Sequence, residues 1–420
     1  MSDRTFLDRT LRRLHRLATG RGRGLGNSLS PGLSDDDLRR LQAAICECLE
    51  ARGGAVSALA RAAELSEAYL CLDEDGRARF IGLLGNNFGL DRRRLDNAAR
   101  LQLQGVAGAE AALREALEAP RAALFRQLGG LPGGVKFLID LRAELRHLPL
   151  GEAVRKVIDS ELKDLLASWF DVGFLELRRI TWNSSANLLE RLIAYEAVHE
   201  IRSWSDLKNR LDSDRRCFAF FHPRMPDEPL IFVEVALTTG LAGDMAALLD
   251  EAPPPLDAAE ADAAIFYSIS NAQQGLAGIS FGNFLIKRVV DLLRAEFPGL
   301  KIFATLSPIP GLRRWLEKTE AGEPDDEAAL LVGAAHYLLR EKRRGRAADP
   351  VAHFHLTNGA RVERLAPSAD TSTAGLDRSL GMMVNYVYKL DEIDSNHEAY
   401  AGSGEIATSA RVRSLLKGKE

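Results

Sequence analysis

The sequence predicts a two-part α+β chain, a helical bundle followed by an α/β domain with a mixed central sheet. Three observations predict it. Apolar residues recur at helical spacing between short Gly/Pro breaks up to residue 169. Around Trp169-Phe170-Asp171-Val172-Gly173 the texture changes to β-branched and aromatic runs. Beyond that point strands alternate with helices after a hairpin, the pattern of a sheet with helical connections. The domains expected are therefore 1–169 and 170–420.

The first segment, "MSDRTFLDRTLRRLHRLATGRGRGLG", carries seven arginines and no long apolar core, so it is not a secretory signal. Asp3 and Asp8 oppose an organelle presequence, and a basic helix with a Gly/Arg linker fits better. The final Gly418-Lys419-Glu420 is not a peroxisomal tripeptide, which leaves the cytoplasm as the expected location. In "LSDDDLRRLQAAICECLEAR", Ser34 is a natural N-cap, and Asp35, Asp36 and Asp37 suit the positive first turn. Leu38, Leu41, Ile45, Cys48 and Leu49 then share one helical face. "AAELSEAYLCLDEDGRARFIGLL" and "LDNAARLQLQGVAGAEAALREALEA" continue in the same style, and "GGLPGGVKFLIDLRAEL" restarts a helix after a Gly/Pro turn. No fixed repeat is visible, so the helices form a bundle and not a solenoid.

In the second part "SSANLLERLIAYEAVHEI" and "SWSDLKNRL" read as helices. "RCFAFFH" and "PLIFVEVAL" read as strands joined through "PRMPDE" into a hairpin. "AAIFYSIS" is a third strand and "KIFATLS" a fourth, with "GNFLIKRVVDLLRAEFPGL" between them as a helix of about five turns. The two prolines of Ser307-Pro308-Ile309-Pro310-Gly311 remove backbone donors and are expected to end strand pairing there. "DDEAALLVGAAHYLLREKRR" is helical, and the run Arg340 to Arg346 reads as its solvated end, with a hold on a ligand phosphate as the other reading. "VAHFHLTNGARVERL" reads as a hairpin turning at Asn358-Gly359. Trp182, Trp204 and Trp315 are expected to be packing anchors.

Composition narrows the function. The chain has 420 residues, 46% apolar and 27% charged, with a net charge of −4, which suits a soluble globular protein. That balance gives no reason to expect a nucleic acid or an anionic membrane as partner. No apolar run approaches the ~18 residues that a membrane helix needs. Cys46, Cys48, Cys71 and Cys217 are too few and too irregular for a disulfide framework. Cys46 and Cys48 point about 200° apart on a helix and cannot readily share a metal.

Two constellations can carry chemistry. "YSISNAQQGLAGISFGNFLIKRVV" is strand, Gly-rich turn and helix, an arrangement that aims free N–H groups at an anion such as a pyrophosphate. It lacks the P-loop ending and the dinucleotide spacing, and a tight turn without ligand is the other reading. In "VAHFHLTNG", strand alternation puts His353 and His355 on one face. Such a pair invites a metal, but no third ligand stands at suitable spacing. The alternative is that one of them partners the serine at the end of "KIFATLS", since a Ser–His pair supplies a proton donor and acceptor.

"AIFYSISNAQQGLAGISFGNFLIKRVV", "LSPIPGLRRWL", "VAHFHLTNGARVERL", "LGMMVNYVYKL", "TWNSSANLLERLIAYEAVHEIRSWSDLKNRL" and "EPLIFVEVALT" together resemble the malonyl-CoA decarboxylase family, in matching order from about Trp169 onward. The resemblance implies an N-terminal helical domain used for oligomer contacts and a C-terminal GNAT-like, acetyltransferase-fold domain. Such a domain takes the pantetheine arm in a splay between two parallel strands, here "AAIFYSIS" and "KIFATLS". The pyrophosphate would lie over Ala277, Gly278, Ile279, Ser280, Phe281, Gly282 and Asn283. Ala272-Gln273-Gln274-Gly275-Leu276-Ala277 keeps the small residues of the acetyltransferase loop and lacks its first. The catalytic serine implied is Ser307 and the catalytic histidine His355, with His353 where relatives carry Asn. The activity implied is conversion of malonyl-CoA to acetyl-CoA and CO2 by a homo-oligomer, dimer or tetramer, with no metal or organic cofactor. An N-acetyltransferase and a non-catalytic acyl-CoA-binding regulator are the rivals.

Overall fold

The computed structural model describes residues 25–50, 54–170, 172–251, 257–279, 285–319 and 326–417. The Arg-rich first segment up to Gly24 lies outside the described residues, as do Ser280, Phe281, Gly282 and Asn283. The chain divides into two compact units. One comprises Met1–Asp171 with Pro223–Pro226 and Gln273–Ser280; the other comprises Val172–His222, Asp227–Ala272 and Phe281–Glu420.

The first unit is helical: α1 (Asp35–Leu49), α2 (Ala55–Cys71), α3 (Glu74–Asn87), α4 (Arg92–Leu103), α5 (Ala109–Ala116), α6 (Pro120–Gly129), α7 (Gly134–Glu144) and α8 (Glu152–Trp169). α1 starts at a capping box in which the Ser34 hydroxyl accepts the Asp37 N–H and the Asp37 carboxylate accepts the Ser34 N–H. Hydrogen bonds from the Ser30 hydroxyl and N–H, and from Ser34, hold the Asp37 carboxyl well below the usual range. Leu41, Ile45 and Cys48 are buried, with Leu38 and Leu49 half-buried on the flanks of the same face. Tyr69 meets Phe80 and Phe137 edge-on, with ring centroids 5.2 and 5.7 Å apart. Cys46, Cys48, Cys71 and Cys217 are all free thiols.

The second unit is built on a mixed sheet. Its strands are β1 (Glu176–Ile180), β2 (Arg215–His222), β3 (Met225–Thr238), β4 (Ala263–Asn271), β5 (Ile302–Thr305), β6 (Ser307–Pro308), β9 (Arg361–Ala366) and β10 (Met383–Val387), and β7 (Lys342–Arg343) and β8 (Arg346–Ala347) form a separate ribbon. The order is β1-β2-β3-β4-β5-β10-β6, with β9 also on β10. β4 and β5 run parallel, while β3 on β4 and β5, β6 and β9 on β10 are antiparallel. All eight residues of β2 are buried, which accounts for the apolar run Cys217 to Phe221 at its centre. The helices used below are α9 (Ala186–Tyr195), α10 (Trp204–Asn209), α11 (Leu285–Glu296), α12 (Leu312–Leu316), α13 (Glu327–Arg340) and α14 (Pro350–Thr357). β1 and β10 are strands that the sequence reading does not predict.

Several expectations need correction. "VAHFHLT" is a helix, α14, and not a strand. Asp349 caps it by accepting the N–H groups of Val351 and Ala352, and Pro350 occupies the first turn where its missing N–H costs nothing. Asn358-Gly359 is therefore a helix C-terminus, with Gly359 at φ 79° and its N–H given to the Leu356 carbonyl. A Cβ at Gly359 would lie 2.2 Å from the Ile393 carbonyl oxygen, so only glycine fits. His353 and His355 consequently lie about 200° apart around the helix and share no face.

The prolines do not end pairing at once either. β6 takes Ser307 and Pro308 onto Val384 and Met383 of β10, and Pro308 is tolerated because β6 ends the path of the sheet. Among the described residues α11 spans 12 residues, about three turns, and it stops ahead of Pro298-Gly299, short of the expected end at Leu300. α13 ends at Arg340, and the basic run folds into the β7–β8 ribbon through Arg344 (φ 54°) and Gly345 (φ 79°). Trp182 and Trp204 are 44% and 47% exposed and pack edge-on against each other, so neither anchors a core. Trp315 does stack, on His336 at 5.6 Å.

Candidate active site

The parallel pairing of β4 and β5 runs from Ala263↔Ile302 to Phe266↔Thr305. The Leu306 N–H still reaches the Phe266 carbonyl, at 3.2 Å. After that the strands part: β4 continues along β3 to Asn271, while Ser307 stays on β10, opposite Val384 in the register that already pairs Ala304 with Val387. The expected splay is thus present, and Ser307 stands where it opens. Its hydroxyl meets two side chains, Thr305 and His355, and the residue is 6% exposed.

His355 comes to Ser307 from α14. Its Nε2 lies 3.1 Å from the Ser307 Oγ, and its Nδ1 lies 2.7 Å from the Tyr388 hydroxyl. The Ser307 hydroxyl donates to Thr305 Oγ1 at 2.9 Å, and the same oxygen accepts the Tyr386 N–H at 3.1 Å. With the serine hydrogen directed at Thr305, the serine oxygen receives the His355 Nε2–H, and Nδ1 accepts from Tyr388. The imidazole stacks on the Tyr386 ring, centroids 4.6 Å apart and planes 24° apart. Burial without a counter-charge pushes the His355 pKa down to about 3, so the ring is neutral throughout the physiological range. Burial likewise pushes the Tyr386 and Tyr388 phenols well up.

The surroundings fix both halves of the pair. Asn385 donates its side-chain amide to the Thr305 carbonyl at 2.7 Å, and its own oxygen accepts from Arg364 Nε at 2.8 Å. Asp349 accepts the Val351 and Ala352 N–H groups of α14 and also the Gly311 N–H, 3.3 Å away in the turn after Ser307. One buried carboxylate therefore ties the helix carrying His355 to the segment carrying Ser307. Desolvation raises its pKa, opposed by those three backbone hydrogen bonds. The Tyr386 hydroxyl is buried without a hydrogen-bond partner among the described residues. His353 points elsewhere, its Nδ1 2.8 Å from the Tyr400 hydroxyl.

Of the loop residues expected to bind a pyrophosphate, Ala277, Gly278 and Ile279 are described, and they belong to the helical unit. Gly275 packs so closely on α7 that a Cβ would lie 1.8 Å from the Ile139 carbonyl oxygen. Arg142, on the same helix, donates to the Gly275 and Ala277 carbonyls at 2.6 and 3.0 Å and to Asp159 at 2.9 Å. Among the described residues no group of three His, Cys, Asp or Glu side chains could hold a metal ion, and no helix is long and apolar enough to cross a membrane.

Sequence reasoning missed Thr305, Tyr386, Tyr388 and Asp349. Three of them carry a period-two signal: Thr305 lies two before Ser307, and Tyr386 and Tyr388 share one face of "VNYVY". Asp349-Pro350 is a helix-start signal, outweighed in the sequence reading by Asn-Gly.

Comparison with known proteins adds family, relatives and structures. The family model described as malonyl-CoA decarboxylase N-terminal domain matches residues 88–170, and that of the C-terminal domain matches 173–331 and 326–420. "Malonyl-CoA decarboxylase, mitochondrial" of Anser anser anser is 37% identical over 418 residues, covering 85% of this chain and 83% of the relative. The Mus musculus protein of the same name is 38% identical over 403 residues, covering 81% and 82%. The crystal structure of malonyl-CoA decarboxylase from Rhodopseudomonas palustris superposes with a TM-score of 0.85 at 41% identity, covering 91% of this chain and 100% of that one. The one from Agrobacterium vitis gives 0.84 at 41%, covering 90% and 99%.

Proposed function

Because the chain belongs to the malonyl-CoA decarboxylase family, we propose that it converts malonyl-CoA to acetyl-CoA and CO2, with Ser307 and His355 at the acyl end of the substrate. The observation that supports these roles is the hydrogen-bonded series Tyr388–His355–Ser307–Thr305 at the point where β4 and β5 separate.

The chemistry needs no metal or organic cofactor, because the thioester carbonyl can itself accept the electrons. With the malonyl carboxylate held perpendicular to the carbonyl plane, the bond between its carbon and C2 breaks and CO2 departs. The released pair forms the C=C of an enolate whose oxygen must be stabilised by a donor. C2 then takes one proton, so malonyl-CoA and one proton give acetyl-CoA and CO2. His355 is the proton donor, through Nε2–H. Loss of that proton from a neutral ring leaves an imidazolate that the hydrogen bond from the Tyr388 hydroxyl to Nδ1 stabilises, and a proton from solvent restores Nε2–H before the next turnover. Ser307 accepts and passes hydrogen bonds at the malonyl group. Ala277, Gly278 and Ile279, with Ser280, Phe281, Gly282 and Asn283, bind the phosphate end of CoA.

The proposal includes a homo-oligomer, dimer or tetramer, and a cytoplasmic location, although the Anser and Mus relatives are named mitochondrial. Malonyl-CoA alone, without acceptor and with chelator present, should yield CO2 and acetyl-CoA, and in D2O the acetyl group should carry one deuterium. Intact malonyl-CoA beside an acylated amine would establish the acetyltransferase instead. Binding without turnover of either kind would establish the regulator.

A further inference from the structure

The helical unit does more around residue 278 than support a loop. Arg142, 5% exposed, draws the Ala277 carbonyl toward itself. The peptide that follows is trans, so the Gly278 N–H must point the opposite way. That N–H has no acceptor among the described residues, and Gly278 is exposed, with φ +75°. Beside it stands Lys163 of α8: a Cβ built on Gly278 would lie 3.8 Å from its Nζ and 3.9 Å from its Cε. Lys163 has no carboxylate or hydrogen-bond partner among the described residues, and Asp159, one turn back on the same helix, is engaged by Arg142. A backbone donor and an ammonium beside one glycine, neither of them paired among the described residues, make a two-point receptor for an anionic oxygen.

We infer that Lys163, with the Gly278 N–H, binds a phosphate of the CoA-type ligand, and that Arg142 is the positioning residue that turns this N–H outward. The inference rests on the reading of this loop as the CoA site, and it gives the helical unit a direct share in ligand recognition. Gly278 suits the role twice over, since its left-handed backbone carries no strain and no Cβ separates it from Lys163. A charge-assisted contact to a phosphate makes the loss of Lys163 measurable as a change in affinity of about ten-fold or more.

The test uses the full chain and measures dissociation constants for CoA, dephospho-CoA and pantetheine by calorimetry, with thermal midpoints to show that each variant is folded. Lys163→Glu should weaken CoA about ten-fold or more and Lys163→Ala somewhat less, with pantetheine changing by less than about two-fold. A matching loss for dephospho-CoA places the contact at the pyrophosphate, and an insensitive dephospho-CoA places it at the 3′-phosphate; both support the subsite. CoA affinity that stays within about two-fold in both variants overturns it, as does an equal loss for pantetheine. For Arg142→Gln the ratio of kcat/KM for malonyl-CoA to that for malonyl-pantetheine should fall, and Arg142→Lys should recover part of it. An unchanged ratio would reduce Arg142 to a structural role and overturn its part of the inference. The binding arms need no turnover. A wild-type chain that binds CoA but releases no CO2 therefore defeats the decarboxylase reading and leaves the subsite standing, whereas one with no CoA affinity defeats both.

Discussion

At the scale of single residues the site turns on one buried imidazole. His355 touches the Ser307 hydroxyl, the Tyr388 hydroxyl and the Tyr386 ring, while His353 bonds Tyr400 on the other side of α14. Ser307→Ala and His355→Ala should each lower turnover of malonyl-CoA by about 10²–10⁴-fold while CoA affinity stays near wild type. His353→Asn should lose far less, and an essential His353 in steady-state assays would reverse the assignment. The same burial has a signature in stability. His355 titrates near 6.5 when unfolded and at about 3 when folded, so between those values the unfolded chain binds the extra proton. The contribution is fully present above pH 6.5 and is lost as pH falls toward 3, at no more than about 1.4 kcal/mol per pH unit. Urea midpoints at pH 7 and pH 4.5 should therefore differ more in the wild type than in His355→Asn. An equal difference would mean that the ring is not buried as a neutral group.

At the scale of elements, the pair exists because a helix and a strand end are pinned to each other. Asp349 caps α14 and holds the Gly311 N–H of the turn that follows β6. Asp349→Ala removes a cap and leaves buried donors unpaired, so unfolding free energy should fall by ~2–4 kcal/mol. Turnover should fall by about 10–100-fold as the 3.1 Å contact loosens. Asp349→Asn keeps an acceptor oxygen and should lose less on both counts. If the alanine variant were as stable as wild type and fully active, the pinning argument would be wrong. α10 is anchored in a comparable way: Arg210, the residue that closes it and 2% exposed, bonds Asp206 of α10 and Glu234 on β3, at 2.7 and 3.0 Å. Arg210→Met would strand Glu234 in the sheet and should cost about 3–5 kcal/mol, read from denaturant midpoints.

At the scale of the molecule, residues 273–280 belong to the helical unit although they follow β4 in the chain. If the helical part served oligomer contacts alone, a fragment of residues 170–420 would keep its affinity for CoA. The seating of Gly275 on Ile139 and the bonds from Arg142 predict the reverse. Such a fragment should bind CoA at least about ten-fold more weakly than the full chain. It should also take up apolar dyes, because Leu276 and Ile279, buried in the full chain, lose their cover. A dispersed fragment with full-chain affinity by calorimetry would show that the loop needs no helical support.

Much of this was legible in the sequence, for local reasons. Ser34 and its acidic turn announce α1, the apolar run of "RCFAFFH" announces a central strand, and "KIFATLS" followed by two prolines marks a strand that leads into a special position. Ser307 and His355 could be named as candidates through the family resemblance, the residues alone leaving His353 and His355 both open. The geometry that joins them was not legible. Residues 350–357 carry a helix-start signal at one end and a turn signal at the other, and only packing against Ile393 and Gly311 decides in favour of a helix. The register that keeps Ser307 on β10 after β5 leaves β4 depends on residues nearly eighty positions later. The hold of Arg142 on Ala277 spans 135 residues. Periodicity and capping report on a window of a few residues, whereas strand partners, buried carboxylates and loop seats are set by long-range contacts that leave no local mark. Those contacts are what the tertiary structure alone decided.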